Sequence, residues 1–570
     1  MSLDAVRRRL LAGDPEAGRL LPPLVERRGK SLAVLGYGAG AAVPGAVEEA
    51  FTAPRFAPWR GALAEVSRFA RSTGAWRRLM GADRGGVHGE VSRVLYSLCA
   101  LSDGTRLPAL ARFLTRRHLK ASALMLRRLE RDFGGAAAVG GLSLADGDSH
   151  RGGQQVAKVV LRRGGTWAYK PRPVDPEALL LGEGSAAQRV NELLAAEGRP
   201  ERLPRLRVRP GSGGDGRHYG YVGWVDSGPG LRRLARGANA PLAVKASRAQ
   251  AGPLWRDAGL LAAFAFVLGV EDLHDGNLVV ARASDGALRY HPIDVELVGG
   301  ALADLEDTLL VAGSVRHGDP DHLHPGFADE ARLCGREADQ WGFWRQGSRW
   351  KFAMIHRVVQ ESLPATVFDA AGRVGYRPYL PQFLAGLLAG FDLLSRRASE
   401  VLPAFDRALA RARTRVLARP TGVYGDELLR RLEGGAAGRA PRFTSGEREQ
   451  LAGFDVPYFF RLGAGPVLRY RDYPRRVAAA GALPAGRAPS APGGGGRLRP
   501  EAFATLLQDA LDHVVDADTP LRLEAEGVAL MRRRGSPETL FAGRAGGRLW
   551  RVRIDAARGA ASVSVGPDSV

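Results

Sequence analysis

Five residues of this chain have the types and the order of a phosphoryl-transfer site: Lys170, Asp272, His274, Asn277 and Asp294. Asp272 opens the run Asp272-Leu273-His274-Asp275-Gly276-Asn277, and Asn277 follows it by five positions, the spacing of a kinase catalytic loop. His291-Pro292-Ile293-Asp294-Val295-Glu296 comes next, with Asp294 just past a short apolar stretch. Phosphoryl transfer needs this set for definite reasons. One carboxylate (Asp272) orients the attacking hydroxyl and takes its proton, while an amide oxygen (Asn277) and a second carboxylate (Asp294) hold Mg²⁺ across the phosphates of ATP. Lys170 ends the stretch Ala168-Tyr169-Lys170 and suits the lysine that neutralises the α- and β-phosphates. The chain has few lysines (Lys30, Lys120, Lys158, Lys170, Lys245 and Lys351), so one here is poorly explained as surface filler. Upstream, Gly147-Asp148-Ser149-His150-Arg151-Gly152-Gly153 offers small residues whose N–H groups could approach phosphate oxygens, Gly152 and Gly153 above all. A carboxylate on the next helix usually holds such a lysine; Glu192 is the candidate and Glu183 the alternative.

These residues need strands and tight turns to hold them. Residues 139–170 alternate short apolar runs with glycine clusters, which predicts strands and a hairpin at Arg163–Gly165. A helix is expected from Pro176 to Ala196 and a buried one from Pro253 to Leu268. Two strands, Leu278–Ala281 and Leu288–Pro292, should flank a turn at Ser284–Ala287. The chain then reads as mostly helical to about 435, including Pro381–Arg397 and Leu402–Arg419. Residues 1–138 read as a helical region, with apolar residues at three- and four-residue spacing in Leu63–Phe69, Val91–Leu101 and Leu107–Phe133. The divisions expected are thus 1–138, a phosphoryl-transfer core at 139–400, a helical region at 401–482, a Pro/Gly-rich linker at 483–498 and a small α+β unit at 499–570. In that last unit Pro500–Val515 reads as an amphipathic helix. RLWRVRID alternates there, with Trp550, Val552 and Ile554 on one face.

Composition narrows the class. The formal net charge is +22, but arginines spread over the whole chain carry it, so a dedicated nucleic-acid surface is not expected. An acidic peptide or nucleotide phosphates suit the charge better. The longest strongly apolar run, Leu260–Val270, is too short to span a bilayer, and the N-terminus lacks a secretory apolar core; a cytoplasmic location is expected. Cys99 and Cys334 provide neither a disulfide framework nor a zinc site.

Taken together, GDSHRGG, YKPR, DLHDGN, IDVEL, the helix bearing Leu388-Ala389-Gly390-Phe391, Arg415–Tyr424 and Asp455-Val456-Pro457-Tyr458-Phe459 resemble the dehydratase domain of class II lanthipeptide synthetases, the LanM-type enzymes. The resemblance covers roughly residues 140–465. It implies an α+β, lipid-kinase-like core, related to protein kinases, with mostly helical elaborations. It also implies phosphorylation of Ser or Thr in a precursor peptide with ATP and Mg²⁺, then elimination of phosphate to dehydroalanine or dehydrobutyrine. Lys170, Asp272, His274, Asn277 and Asp294 match the family's phosphorylation residues; Asp148 and His150 match residues lining the site. Elimination in the family uses an arginine and a threonine six residues apart, here Arg415 and Thr421, with Arg419 near enough to assist. The family's zinc-dependent cyclase domain has no counterpart in these residues, so a stand-alone dehydratase working beside a separate cyclase or other tailoring enzyme is expected. A kinase acting on a small molecule or protein, without elimination, would use the same core set. A non-enzymatic peptide-binding scaffold would be expected to have lost Lys170, Asn277 or Asp294, and all three are present.

Overall fold

The computed structural model describes residues 107–135, 138–144, 149–212, 218–234, 241–312, 324–328, 336–346, 349–359, 362–432, 443–463, 465, 467–470, 478–482, 497–515 and 519–568, with residues 8, 24–28, 31–36 and 52. Over these residues the chain is mixed α plus β, with several small sheets. Helix α1 (Leu107–Phe133) forms where its apolar spacing predicts. The helical readings of Leu63–Phe69 and Val91–Leu101, and both cysteines, lie outside the described residues. Elsewhere the N-terminal region departs from an all-helical reading: Leu24–Arg28 and Ser31–Gly36 are antiparallel strands. The first also pairs in parallel with Arg336–Gln346, itself antiparallel to Arg349–Val359, inside the stretch expected to be helical. A strand whose partner lies some three hundred residues away leaves little local trace.

Five antiparallel strands make the sheet that carries Lys170: β1 (Val139–Leu144), β2 (Ala157–Leu161), β3 (Thr166–Lys170), β4 (Val208–Pro210) and β5 (Gly220–Gly223), in the order β1-β2-β3-β5-β4. The β2–β3 turn closes at Arg163–Gly165, where the Leu161 N–H donates to the Gly165 carbonyl at 3.0 Å. Helix α1 lies on this sheet, packing Met125, Leu126 and Leu129 against Val159, Tyr169 and Tyr221. Buried polar ties fix it there. Asp132 accepts from the hydroxyls of Tyr219 (2.6 Å) and Tyr221 (2.7 Å), and Arg128 donates to the hydroxyl of Tyr169 (2.7 Å). The expected helix from Pro176 to Ala196 is two helices, α2 (Asp175–Leu181) and α3 (Ala186–Ala196). The break falls at Gly182–Gly184, where Gly184 takes φ 67° and Ser185 caps α3 by accepting from the Gln188 N–H.

Helices α4 (Arg248–Leu268) and α5 (Leu380–Arg396) form the centre of the core. Their backbones meet because glycines face each other. A Cβ on Gly386 would lie 1.9 Å from the Arg256 carbonyl oxygen, and one on Gly259 would lie 2.0 Å from that of Phe383. Among the described residues α4 is the one helix long and apolar enough to cross a membrane, and 78% of its most apolar window is buried inside this chain. Beyond α4, β6 (Leu278–Arg282) and β7 (Leu288–Pro292) form the expected hairpin. Helix α6 (Ala398–Leu409) stops short of the expected Arg419. Arg413–Val416 is instead a strand, β8, paired antiparallel with β9 (Phe459–Leu462). Thr414 and Val416 point inward on that strand while the arginines alternate with them, a period of two that the run of arginines disguises. Helices α7 (Thr421–Leu432) and α8 (Ser445–Ala452) separate the two strands in sequence.

Helix α9 (Pro500–Asp512) forms where the C-terminal pattern predicts, three residues shorter, and the alternating segment is one strand (Arg548–Asp555) of a five-stranded antiparallel sheet from Leu521 to Pro567. They do not stand apart. Phe503, Leu507, Phe541 and Trp550 belong to the same core as Leu388 and Phe391 of α5. Residues 483–496 of the expected linker lie outside the described residues. Its last two are docked: Arg497 donates to the Phe266 carbonyl (3.3 Å), and the Leu498 carbonyl accepts from Ser395 (3.3 Å). Asp392 on α5, 1% exposed, anchors the sheet. It accepts from Trp550 Nε1 (2.9 Å) and Arg548 Nε (2.8 Å), and from Arg396 Nε (2.7 Å) on its own helix. Asp392→Ala orphans a buried indole N–H and removes the carboxylate from Arg548, while Arg396 keeps Glu197 at 3.0 Å, so a loss of about 1–3 kcal/mol is expected. Urea unfolding measures it. Unchanged stability would show that the sheet is not held through α5.

Candidate active site

Three chain segments converge on one cleft of about 340 Å³. Lys170 is the last residue of β3. Asn277 sits in the turn before β6, and Asp294 lies two residues past the end of β7. The Leu278–Pro292 pairing and a bond from the Ile293 N–H to the Asn277 carbonyl (2.9 Å) place these two side by side. Asp272 has φ 67°, a left-handed conformation that costs a non-glycine residue roughly 1–2 kcal/mol. Two bonds hold it: Leu273 N–H to the Thr308 carbonyl (2.9 Å), and Asn277 Nδ2 to the Asp272 carbonyl (2.8 Å). The second also orients the Asn277 amide, whose Oδ1 accepts no hydrogen bond from the described residues. His274 accepts the Gly276 N–H on Nδ1 (3.0 Å), which leaves Nε2 3.8 Å from Asp272 Oδ1.

The cleft floor is a continuous ion-pair network. Lys170 Nζ lies 2.5 Å from Asp294 Oδ1 and 3.1 Å from Glu177 Oε1, and donates to the Ile293 carbonyl at 2.6 Å. Arg172 binds Glu177 through both its Nη atoms (3.1 and 2.6 Å) and also contacts Asp294 and Glu296. Glu296 in turn accepts from Arg415 Nη1 at 2.6 Å. Arg415 Nε and Nη2 are buried and have no acceptor among the described residues. The guanidinium groups of Arg415 and Arg151 lie over the ring of Tyr458, at 5.3 and 4.6 Å.

Titration follows this arrangement. Burial raises the Asp272 carboxyl, and the Asp294 and Glu296 charges add to that. His274 and Arg415 oppose it, and the outcome is about 6. Burial also works against the Asp294 charge, but Lys170 and Arg172 outweigh it and hold this carboxyl well below the usual range. Its side chain is still 37% exposed to the cleft. Burial of Glu296 is likewise outweighed, by Arg172 and Arg415.

Of the residues expected at the site, His150, Lys170, Asn277, Asp294 and Arg415 line this one cleft. Asp272 and His274 stand on the loop beside it. Asp148 lies outside the described residues. Thr421 starts α7 and does not line the cleft, and Arg419 is engaged by Glu447 (2.7 Å). The carboxylate expected on the next helix exists but is neither Glu192 nor Glu183. Glu192 is exposed and pairs with Arg189, Glu183 is exposed, and the partner of Lys170 is the fully buried Glu177 on α2. Gly182 and Gly184 are the signal for it: they end α2 before Glu183 and Glu192, which leaves Glu177 as the carboxylate on the helix that follows β3. Gly152 and Gly153 do not present free N–H groups to the cleft, because both donate to Asp455, at 2.7 and 3.2 Å. Arg172, Glu296 and Tyr458 belong to the quoted motifs YKPR, IDVEL and DVPYF, but spacing alone assigned them no role.

Residues 107–298 match the family model described as a domain of unknown function, DUF4135, which is associated with LanM-type lanthipeptide synthetases. The match runs from the start of α1 to just past Glu296. It takes in Lys170, Asp272, His274, Asn277 and Asp294 and stops before Arg415. No curated protein matches the chain.

Proposed function

We propose that this chain dehydrates Ser and Thr residues of a ribosomally made precursor peptide, using ATP and Mg²⁺ on a kinase-like core. In the first step the peptide hydroxyl oxygen bonds to the γ-phosphorus as ADP leaves, and Asp272 accepts the hydroxyl proton. In the second, a general base takes the Cα proton, the freed electron pair forms the Cα–Cβ double bond, the Cβ–O bond breaks, and phosphate departs with that oxygen into the reach of Arg415. The observation that carries the reading is the meeting of Lys170, Asn277 and Asp294 with Arg415 in one cleft, where two of the Arg415 donors are buried without an acceptor among the described residues. The residues fit a Mg²⁺ ion that arrives with its nucleotide. Asn277 Oδ1 and Asp294 offer two oxygens, and among the described residues no cluster of three or more His, Cys, Asp or Glu side chains could cage an ion without it. Such an ion would offset charge on the phosphates. Lys170 binds the α/β-phosphates, and Glu177 holds that lysine in place.

Incubation with the cognate peptide, ATP and Mg²⁺ should give mass losses of about 18 Da per event, one water each, with release of ADP and phosphate. Thr421 lies off the cleft lining, which favours a second reading, phosphotransfer without elimination. Stable gains of about 80 Da, one phosphoryl group each, would decide for it. A pH prediction belongs to the first step. The base must be ionised, and burial sets Asp272 at about 6, so the phosphorylation rate should rise with pH through about 6 and then level off. Glu296→Gln removes a charge that raises the Asp272 carboxyl, and should move this limb to lower pH. A flat profile between pH 5 and 8 would remove Asp272 as the base.

A further inference from the structure

A buried carboxylate stands at the centre of the bonds that join the glycine turn to the segment carrying Tyr458. Asp455, 5% exposed, accepts the Gly152 N–H on Oδ2 (2.7 Å) and the Gly153 N–H on Oδ1 (3.2 Å), and Oδ1 also pairs with Arg117 of α1. Around it run further bonds, three between the same two segments and one from Arg117 of α1 to the second. The Val456 N–H donates to the Ser149 carbonyl (3.0 Å), and Ser149 Oγ donates to the Phe454 carbonyl (3.3 Å). His150 Nδ1 lies 2.8 Å from the Val456 carbonyl oxygen, and Arg117 Nη1 donates to the Phe454 carbonyl (3.0 Å). Gly152 and Gly153 both have φ 85°, so the turn has the successive exposed N–H groups of an anion-binding nest. The anion in that nest is part of the protein.

We infer that Asp455 is a positioning residue of this site: its carboxylate fills the amide nest of the glycine turn and thereby fixes His150 and Tyr458 against the cleft, so that nucleotide phosphates are held by side chains rather than by the turn. The inference rests on the proposed function for its cleft ligand, but the strap itself does not. Three consequences follow from the geometry. His150, which lines the cleft, has Nδ1 committed to the Val456 carbonyl, so the backbone of the second segment sets the orientation of its ring. Its ring stacks edge-on to Tyr458, with centroids 5.5 Å apart, so the two side chains move as one unit. Tyr458 in turn underlies both Arg151 and Arg415, and loosening the strap loosens the face on which Arg415 rests.

The test uses Asp455→Ala and Asp455→Asn in the full chain, with two kinds of readout. Hydrogen exchange followed by mass spectrometry needs no activity. In Asp455→Ala, segments 149–154 and 454–458 should lose protection together, by roughly tenfold or more, the size expected for lost charge-assisted bonds. Millimolar acetate, a free carboxylate for the vacated nest, should restore part of that protection. In Asp455→Asn, which keeps one acceptor oxygen, the loss should be smaller. The second readout splits turnover from nucleotide affinity: peptide-modification kcat should fall by roughly tenfold or more while the Kd for Mg–ADP changes less than about threefold, with acetate recovering part of kcat. Weaker Mg–ADP binding with unchanged kcat would overturn the inference, because the turn would then be touching phosphates. Loosening of only one of the two segments would overturn it as well. If wild-type protein consumes no ATP with peptide while the exchange results hold, the strap stands and the proposed function fails. If Asp455→Ala does not fold, Asp455→Asn carries both readouts.

Discussion

Asp294→Asn is expected to lower the phosphorylation rate by about 10³-fold while leaving the protein folded. The two halves of this result have separate physical causes. For the rate, the substituted amide can still turn its oxygen toward Lys170 and Arg172, which both press on Asp294 Oδ1. It must then present an NH₂ group to the cleft where the reaction calls for a negative oxygen. The site loses a charge at the point where the phosphates and their cation would sit, and gains a donor that repels the cation. For the fold, neither buried cation is orphaned. Lys170 keeps Glu177 at 3.1 Å and the Ile293 carbonyl at 2.6 Å, and Arg172 keeps both bonds to Glu177 and its contact with Glu296. The cost should therefore fall below the 3–5 kcal/mol typical when a buried ion loses its only partner. ADP release in the presence of peptide measures the first half and thermal melting the second. Retention of more than about a tenth of the wild-type rate would mean that Asp294 is not at the reacting phosphates.

How much of this site was legible in the sequence depended on the range of the interactions involved. The β6–β7 hairpin and the turn before it are local, and the strands, the bend and the placement of Asn277 beside Asp294 followed from about twenty consecutive residues. Lys170 at the end of a strand was equally legible, because β2 and β3 are joined by a glycine turn. Glu177 was within reach, but only by treating Gly182 and Gly184 as a helix break rather than as tolerated interruptions. Arg415 is different in kind. Its strand, β8, exists because Phe459–Leu462 pairs with it from some forty residues downstream, and its own residues read as the continuation of a helix. The Asp455 strap joins positions about three hundred residues apart, and nothing in the local pattern of either segment distinguishes a nest for phosphate from a nest for a carboxylate. The C-terminal helix and the Arg548–Asp555 strand are legible as elements, whereas the other four strands and their packing on α5 are not. Amphipathic periodicity shows that an apolar face exists, but does not show that α5 covers it.

The same long-range geometry makes Arg415→Ala the sharpest separation of the two proposed steps. Phosphopeptide should accumulate, with each stalled site about 80 Da heavier, because elimination slows by about 10²–10³-fold while phosphorylation stays within a few-fold of wild type. Glu296 explains why the first step survives: it loses the Arg415 bond at 2.6 Å but keeps Arg172, so no buried carboxylate is left alone beside the phosphates. The donors Nε and Nη2, which have no acceptor among the described residues, are what the second step loses. Arg415→Lys should not rescue it. An ammonium can pair with Glu296 or with a departing phosphate, but it lacks the fork that serves both. One further shift identifies the cause. The Arg415 charge holds the Asp272 carboxyl down, against burial, so its removal should move the acid limb of the phosphorylation rate to higher pH. Accumulated phosphopeptide together with that displaced limb fits an arginine standing between the two chemistries. Equal losses in both steps would place Arg415 in phosphoryl transfer and leave elimination without its cation.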